Sequence, residues 1–260
     1  MIEIFSNPDA WIALLTLTFL EIVLGIDNII FISIVTGKLP PEKRKKATQI
    51  GLFLAMFMRI AMLFGITILI AMKAPWFSID LGWFSGSFTG QAVVLFIGGL
   101  FLIYKSTKEI HEKVDHKGEG EQDMKSSAAK SFGNVIFQIL LIDLIFSVDS
   151  ILTAVGMTNG VEGALYIMIT AVVVSVGVMM LFAVPVGNFV NANPSIQILG
   201  LAFLILIGFM LITESMHLSN AELAGQHVGA VPKGYLYFAI AFSLVVEFIN
   251  MKMRKKPSNH

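Results

Sequence analysis

Seven stretches of this chain stay apolar for about the 20 residues that a helix needs to cross a bilayer: residues 10 to 36, 47 to 72, 83 to 104, 131 to 157, 162 to 186, 195 to 213 and 234 to 251. The pattern predicts an all-α membrane protein with seven transmembrane helices. The third span is the weakest, because its strongly apolar core runs only from Ala92 to Tyr104. It reaches full length by including Trp83 to Gln91, which is rich in Gly, Ser and Thr, and a re-entrant segment is the alternative there.

The interruptions of the apolar pattern carry more information than the pattern. Spans one and four share a motif: a carboxylate, a small residue four later, a second carboxylate two beyond, and an adjacent amide or hydroxyl. In span one these are Glu21, Gly25, Asp27 and Asn28; in span four they are Asp143, Ser147, Asp149 and Ser150. On a 3.6-residue helix Glu21, Gly25 and Asn28 fall on one stripe, as do Asp143, Ser147 and Ser150, while Asp27 and Asp149 sit about a third of a turn away. Gly25 and Ser147 would let the two helices approach closely. Glu21 and Asp27 are separated by about 9 Å along an unbroken helix, so a single ion touching both requires local unwinding near Gly25, and an irregularity is expected there.

Composition agrees with the membrane reading: 56% of residues are hydrophobic and 14% charged, against about 25% charged in soluble domains. A formal net charge of zero gives no reason to expect a nucleic-acid partner. Cysteine is absent, which excludes disulfides and thiolate ligands and leaves oxygen donors as the main metal ligands. The N-terminus carries Glu3 and Asp9 rather than a basic stretch, so the first span is expected to be retained rather than cleaved as a signal peptide.

Charge also fixes an orientation. Lys38 with the run Lys43 to Lys46, six lysines from Lys105 to Lys130, and four basic residues from Lys252 to Lys256 make fifteen of the eighteen Lys and Arg residues. With seven spans all three groups lie on one side, which the positive-inside rule makes cytoplasmic, with the N-terminus outside and the C-terminus inside. The segment 105–130 adds six acids and two histidines, a composition expected to be helical only near its ends. It separates a three-helix unit, 1–104, from a second, 131–213. An odd number of crossings turns the second over, so the halves form an inverted repeat, weakly echoed by Lys108-Glu109 and Thr213-Glu214 at the ends of spans three and six. Residues 214–260 add an external loop, a seventh helix and a basic tail.

Inverted repeats with polar helices near the midplane form a transporter architecture. Each acid at the bilayer centre costs about 2.5 to 3.5 kcal/mol on insertion scales, so four cost on the order of 10 kcal/mol before compensation. Arg59, the basic residue inside a span, offsets one, a divalent cation would offset two, and protons or water the rest. A site that holds either metal or protons supports exchange, since desolvation and like-charge crowding raise carboxylate pKa values. Oxygen ligation suits Mn²⁺, Mg²⁺ or Ca²⁺.

At these residues the chain resembles the TerC family of integral membrane proteins. The resemblance rests on Leu20 to Asn28, Gly98-Gly99-Leu100-Phe101, Lys108 to Glu112, Asp143 to Ser150 and Val231-Pro232-Lys233-Gly234-Tyr235, and covers nearly the whole chain. It implies a bacterial inner-membrane protein of the LysE-like transporter superfamily, linked by name to tellurium resistance and, in several members, to Mn²⁺ export and metal loading of secreted enzymes. The ion-binding positions it implies are Glu21, Asp27, Asn28, Asp143, Asp149 and Ser150. Tellurite, an anion, suits so acidic a site poorly.

The expectation is therefore a non-enzymatic divalent-cation exporter, Mn²⁺ first, with protons as counter-ion. Three alternatives use the same residues. The acids could lock the bundle by hydrogen bonds alone. The protein could be a scaffold that hands metal to proteins emerging from secretion machinery. Asp27 and Asp149 could form an intramembrane aspartyl protease, although the Gly-x-Gly-Asp element of such enzymes is missing. Arg59 is either a structural partner or a gate; Glu247, near the end of span seven with Asn250, reaches the interface or acts as a charge partner. Glu109 and Glu214 read as helix-end charges, the fourteen methionines as packing, and His217 and His227 as external-loop residues. Homodimerisation is left open.

Overall fold

Hydrocarbon offers no partners to backbone polar groups, so a chain that crosses it closes its hydrogen bonds within each helix. The computed structural model describes residues 8–65, 68, 70, 72–115, 132–158 and 161–254, apart from the side chains at 26, 27, 115 and 254. Seven helices there are long and apolar enough to span a membrane: α1 (Pro8–Thr36), α2 (Pro41–Phe64), α3 (Gly90–Asp115), α4 (Phe132–Met157), α5 (Ala164–Ala192), α6 (Pro194–Leu218) and α7 (Lys233–Arg254). Pro41 and Pro194 open α2 and α6 at the first helical position, where a missing N–H is harmless.

The expected second span holds a break, and the third is corrected. Helix α2 ends at Phe64 with Gly65 as its cap, residues 68 and 70 are helical again, and 66, 67, 69 and 71, within the expected span to 72, lie outside the described residues. Span three starts at Gly90, not at 83, because the Thr89 hydroxyl accepts the Ala92 N–H at 3.1 Å and caps the helix there. The stretch read as the start of a span, or as a re-entrant segment, is β2 (Phe84–Thr89), paired antiparallel with β1 (Pro75–Asp80). Two short strands from the α6–α7 connection, β3 (Glu222–Leu223) and β4 (Gln226–His227), complete a sheet in the order β1-β2-β3-β4. The α2–α3 and α6–α7 connections are thus joined at one end of the bundle. The charged segment after span three is helical to Asp115; its remainder, 116–130, lies outside the described residues.

The most extensive helix packing runs between the first three helices and the next three: α3 with α6, α1 with α5, α2 with α4 and α5, and α1 with α4. Exchanging α1 with α4, α2 with α5 and α3 with α6 maps each of these contacts onto itself or onto another of them, as an inverted repeat requires. The exchange is visible in atoms where α3 crosses α6. A Cβ on Gly99 would meet the Gly208 carbonyl oxygen at 2.5 Å, and one on Gly208 would meet the Gly99 oxygen at 2.7 Å. Only glycine permits backbones this close. By contrast α7 packs chiefly on α6, and just 11% of its apolar window is buried, against 56% for α1.

The expected irregularity near Gly25 is absent, since α1 runs unbroken from Pro8 to Thr36. Gly25 serves packing instead, but not against span four: a Cβ there would clash with Met179 Cε on α5. At the end of the bundle opposite the sheet, Glu109 is 4% exposed and pairs with Lys38, which follows α1, and with Lys105 at 3.0 Å. Glu109 is therefore a buried tie between the α1–α2 connection and α3, rather than the solvated helix-end charge expected.

The α3–α6 crossing predicts a contrast between two glycines. Gly99→Val should lower stability by about 1 to 3 kcal/mol through overpacking. Gly177→Ala, on an exposed face of α5 with nothing within 4 Å of the added Cβ, should be neutral or stabilising by up to about 1 kcal/mol. Thermal unfolding of both variants in detergent checks this; equal behaviour would remove the backbone contact as a constraint.

Candidate ion-binding site

Arg59 is the residue on which the polar interior is assembled. It projects from α2 between α1 and α4 and is 4% exposed. Its Nη1 donates to Glu21 Oε2, its Nη2 to Asp143 Oδ1 at 2.5 Å, and its Nε to Asp143 Oδ2 at 3.0 Å. The planar fork of the guanidinium matches a carboxylate in a way that lysine cannot. Asp143 also accepts the Ser147 hydroxyl at 3.2 Å and the Asn28 amide N–H at 3.3 Å. All five side chains are buried. Arg59 thus serves two acids, where the sequence reading allowed it one, and a cation already stands between Glu21 and Asp143.

Beside this cluster lies a cleft of about 60 Å³, whose polar wall consists of Asn28, Arg59, Asp149, Ser150, Glu214, Lys233 and Tyr237. It has room for roughly four water molecules. A wider chamber of about 330 Å³, lined by Lys73, Thr89, Gln91 and Thr153, shares Asp149 and Glu214 with it and lies at the sheet-bearing end. A third, of about 150 Å³, places Glu21 and Ser150 in one wall with Lys233 and Tyr237. The Asn28 Oδ1 is buried and accepts no hydrogen bond from the protein. An unpaired acceptor beside this cleft can take a hydrogen bond from water or a contact from a cation.

The two motifs are staggered by the inverted topology. Asp149 follows Asp143 by six residues toward the sheet-bearing end, about 9 Å along α4. On α1 the corresponding step carries the backbone of Asp27 the other way, toward the basic end. The side chain of Asp27 lies outside the described residues. Asp149 pairs with Lys233 at 2.5 Å, with the carboxylate side chain 17% and the lysine side chain 44% exposed.

The structure therefore brings Glu21, Asn28, Asp143 and Ser147 together around Arg59 and puts Asp149 and Ser150 on the adjoining cleft. Among the described residues no group of three His, Asp or Glu side chains is close enough to hold a metal ion. Glu247 stands on α7 about 21 Å along the helix from Lys233 and is not among the cleft residues. His217 is in the last turn of α6 rather than in a loop, and His227 lies in β4 with its Nε2 3.1 Å from Glu222.

Sequence reasoning missed Lys233, Lys73 and Tyr237 as walls of the site. A signal was present. Fifteen of eighteen basic residues fall in the three clusters that mark one face; the other three, Arg59, Lys73 and Lys233, all line the chambers that hold Asp149 or Glu214.

The family model described as "Integral membrane protein TerC family" matches residues 6–258. The chain is 47% identical over 251 residues to the UPF0053 inner membrane protein YgdQ of Escherichia coli K12, covering 96% of each chain. It is 44% identical over 255 residues to a UPF0053 protein of Haemophilus influenzae, covering 98% of this chain and 99% of that one. It also matches the UPF0053 inner membrane protein YoaE of Escherichia coli K12, 39% identical over 258 residues, spanning 99% of this chain and 46% of that longer protein. No solved structure matches.

Removing one member of a buried charge cluster leaves the others unpaired, which costs about 3 to 5 kcal/mol. Arg59→Met should lower the unfolding temperature sharply, and adding Glu21→Gln and Asp143→Asn to it should restore most of the loss. Melting curves of the single and triple variants in detergent test this. A fully stable Arg59→Met protein would show that the cluster does not hold the helices.

Proposed function

The chain belongs to the TerC family of integral membrane proteins and is a multi-pass inner-membrane protein, and on that basis we propose that it moves a divalent cation, Mn²⁺ foremost, out of the cytoplasm. The observation that carries this reading is the buried Glu21–Arg59–Asp143 cluster beside a polar cleft that holds the unpaired Asn28 oxygen. Around the chambers the carboxylates of Glu21, Asp143, Asp149 and Glu214 outnumber the cations of Arg59, Lys73 and Lys233. A bound cation would offset that excess, and so would protons on the carboxylates. The two loads are interchangeable, which is the requirement for coupling export to a proton gradient.

The ligands are the oxygens of Asp149, Ser150, Asn28 and Glu214, while Glu21 and Asp143 stay paired with Arg59 behind them. Carboxylate, amide and hydroxyl oxygens suit Mn²⁺, Mg²⁺ or Ca²⁺. The staggered motifs lay a path through the bundle: Asp149 and Glu214 toward the sheet-bearing end, the arginine cluster at mid-depth, and Asp27 on the far side of it. By the positive-inside rule the clustering of Lys and Arg supports a cytoplasmic opposite end, with the sheet facing outward and the N-terminus external.

Mn²⁺ flux into proteoliposomes, with Ca²⁺ and Mg²⁺ as competitors, tests the reading. Asp149→Asn is expected to reduce flux at least tenfold with unchanged insertion, and Glu214→Gln to weaken it less. Absence of flux in the parent protein would refute transport. Retained Mn²⁺ binding without flux would favour a scaffold that hands metal to secreted proteins.

A further inference from the structure

Of the two cations in the site, one is fixed and the other is removable. Arg59 is 4% exposed and its guanidinium donates to two carboxylates on two helices. Lys233 is held at Asp149 by its ammonium tip, and its side chain is 44% exposed. The two also belong to different parts of the fold. Arg59 sits within the repeated units, whereas Lys233 opens α7, the helix that the repeat does not require and that is barely packed.

Lysine is a poor choice for that position on local grounds. The N-terminus of a helix carries partial positive charge and favours anions, so a cation in the first turn is disfavoured. The residue is explained by what its side chain touches. A compact, strongly hydrated ammonium with three donors occupies a carboxylate as a monovalent ion would. Lys233 also lines both inner chambers with Tyr237, and Leu236 joins them in the wall of the cleft. Leu236 and Ile240 are the α7 residues buried among those described. The first two turns of α7 therefore form a wall of the cleft, and Lys233 fastens that wall to α4.

We infer that Lys233 is a tethered stand-in for the transported cation: its ammonium neutralises Asp149 while the site is empty, and an arriving divalent ion displaces it, freeing the first turn of α7 from α4. This rests on the cation-transport reading above. It makes Lys233 a specificity-determining residue, since an ion must offer Asp149 more than a single positive charge at the same oxygen. It also gives α7 a task, that of a wall whose position reports whether the site is filled.

Mn²⁺ binding to the purified protein, measured by equilibrium dialysis, tests the inference. The paired state withholds Asp149 and lowers apparent affinity by the fraction of protein it occupies. Lys233→Met should therefore bind Mn²⁺ about tenfold more tightly, and Lys233→Arg, which restores a cation, should return toward the parent. Lys252→Met, about 28 Å farther along α7, makes the same charge change away from the site and should bind as the parent does. A second readout does not depend on the Lys233 variants. The chain has no cysteine, so Tyr237→Cys introduces a single thiol in the cleft wall, and its alkylation rate should rise several-fold when Mn²⁺ is added. Equal affinity of Lys233→Met and parent, or a thiol rate that bound Mn²⁺ leaves unchanged, would overturn the inference while leaving transport standing. Failure of every protein to bind Mn²⁺ would instead sink the transport reading, and this inference with it.

Discussion

A carboxylate cannot stand bare in hydrocarbon, and the rest of this fold is arranged around that constraint. Glu21 comes from the first repeated unit and Asp143 from the second, and a single guanidinium from α2 neutralises both. The contact is therefore a joint between the two halves as well as a charge balance. Its geometry needs α1, α2 and α4 at one depth, which their mutual packing supplies. The desolvation cost of such a buried cluster means that it adds little net stability. Its value lies in specificity, because any other registry of these helices would strand a charge.

Around this joint the polar groups are graded by exposure. The arginine cluster is sealed, Asn28 and Ser150 border the cleft, and Asp149 and Glu214 reach the wider chamber at the sheet-bearing end. At the other end, Lys38 and Lys105 pair with Glu109. The chamber described here lies toward the sheet, while the described residues of the basic end are linked by these ion pairs. The sheet itself joins the two helix connections that frame the chamber, so its mouth is bounded by hydrogen-bonded backbone rather than by separate loops.

Much of this was legible in the sequence, and the misses have identifiable causes. Hydropathy located seven spans because a helix in lipid has few other ways to satisfy its backbone, and the repeated acidic motif marked α1 and α4 because hydrocarbon tolerates such residues only for a reason. The β1–β2 hairpin was missed because Trp83 to Gln91 was needed to complete a span of full length. Its own signal was present: Phe84 and Phe88 fall on one face of a strand with small residues between them, and Gly82 supplies the positive φ of 77° in the tight turn where the Leu81 N–H donates to the Phe84 carbonyl. The β3–β4 pair is two residues long on each side and left no pattern to read. That Arg59 would serve two acids, and that Gly25 would face α5 rather than α4, depended on helix rotation and long-range packing, which spacing along one helix cannot specify. Lys233 could have been singled out by subtraction, as one of three basic residues outside the clusters that set the topology.

The short stretch ahead of α7 sets a scale for the whole site. The Val228 N–H is anchored to the Ala221 carbonyl at 2.9 Å, and the helix begins at Lys233, so the intervening four residues, 229–232, form a leash. Four residues span at most about 14 Å. An ammonium on so short a leash never dilutes into the surroundings; its effective concentration at Asp149 remains in the millimolar range or above. In the proposed displacement of Lys233 a dissolved ion would compete with that local concentration, so leash length as well as ligand chemistry would set the ion level at which the site fills.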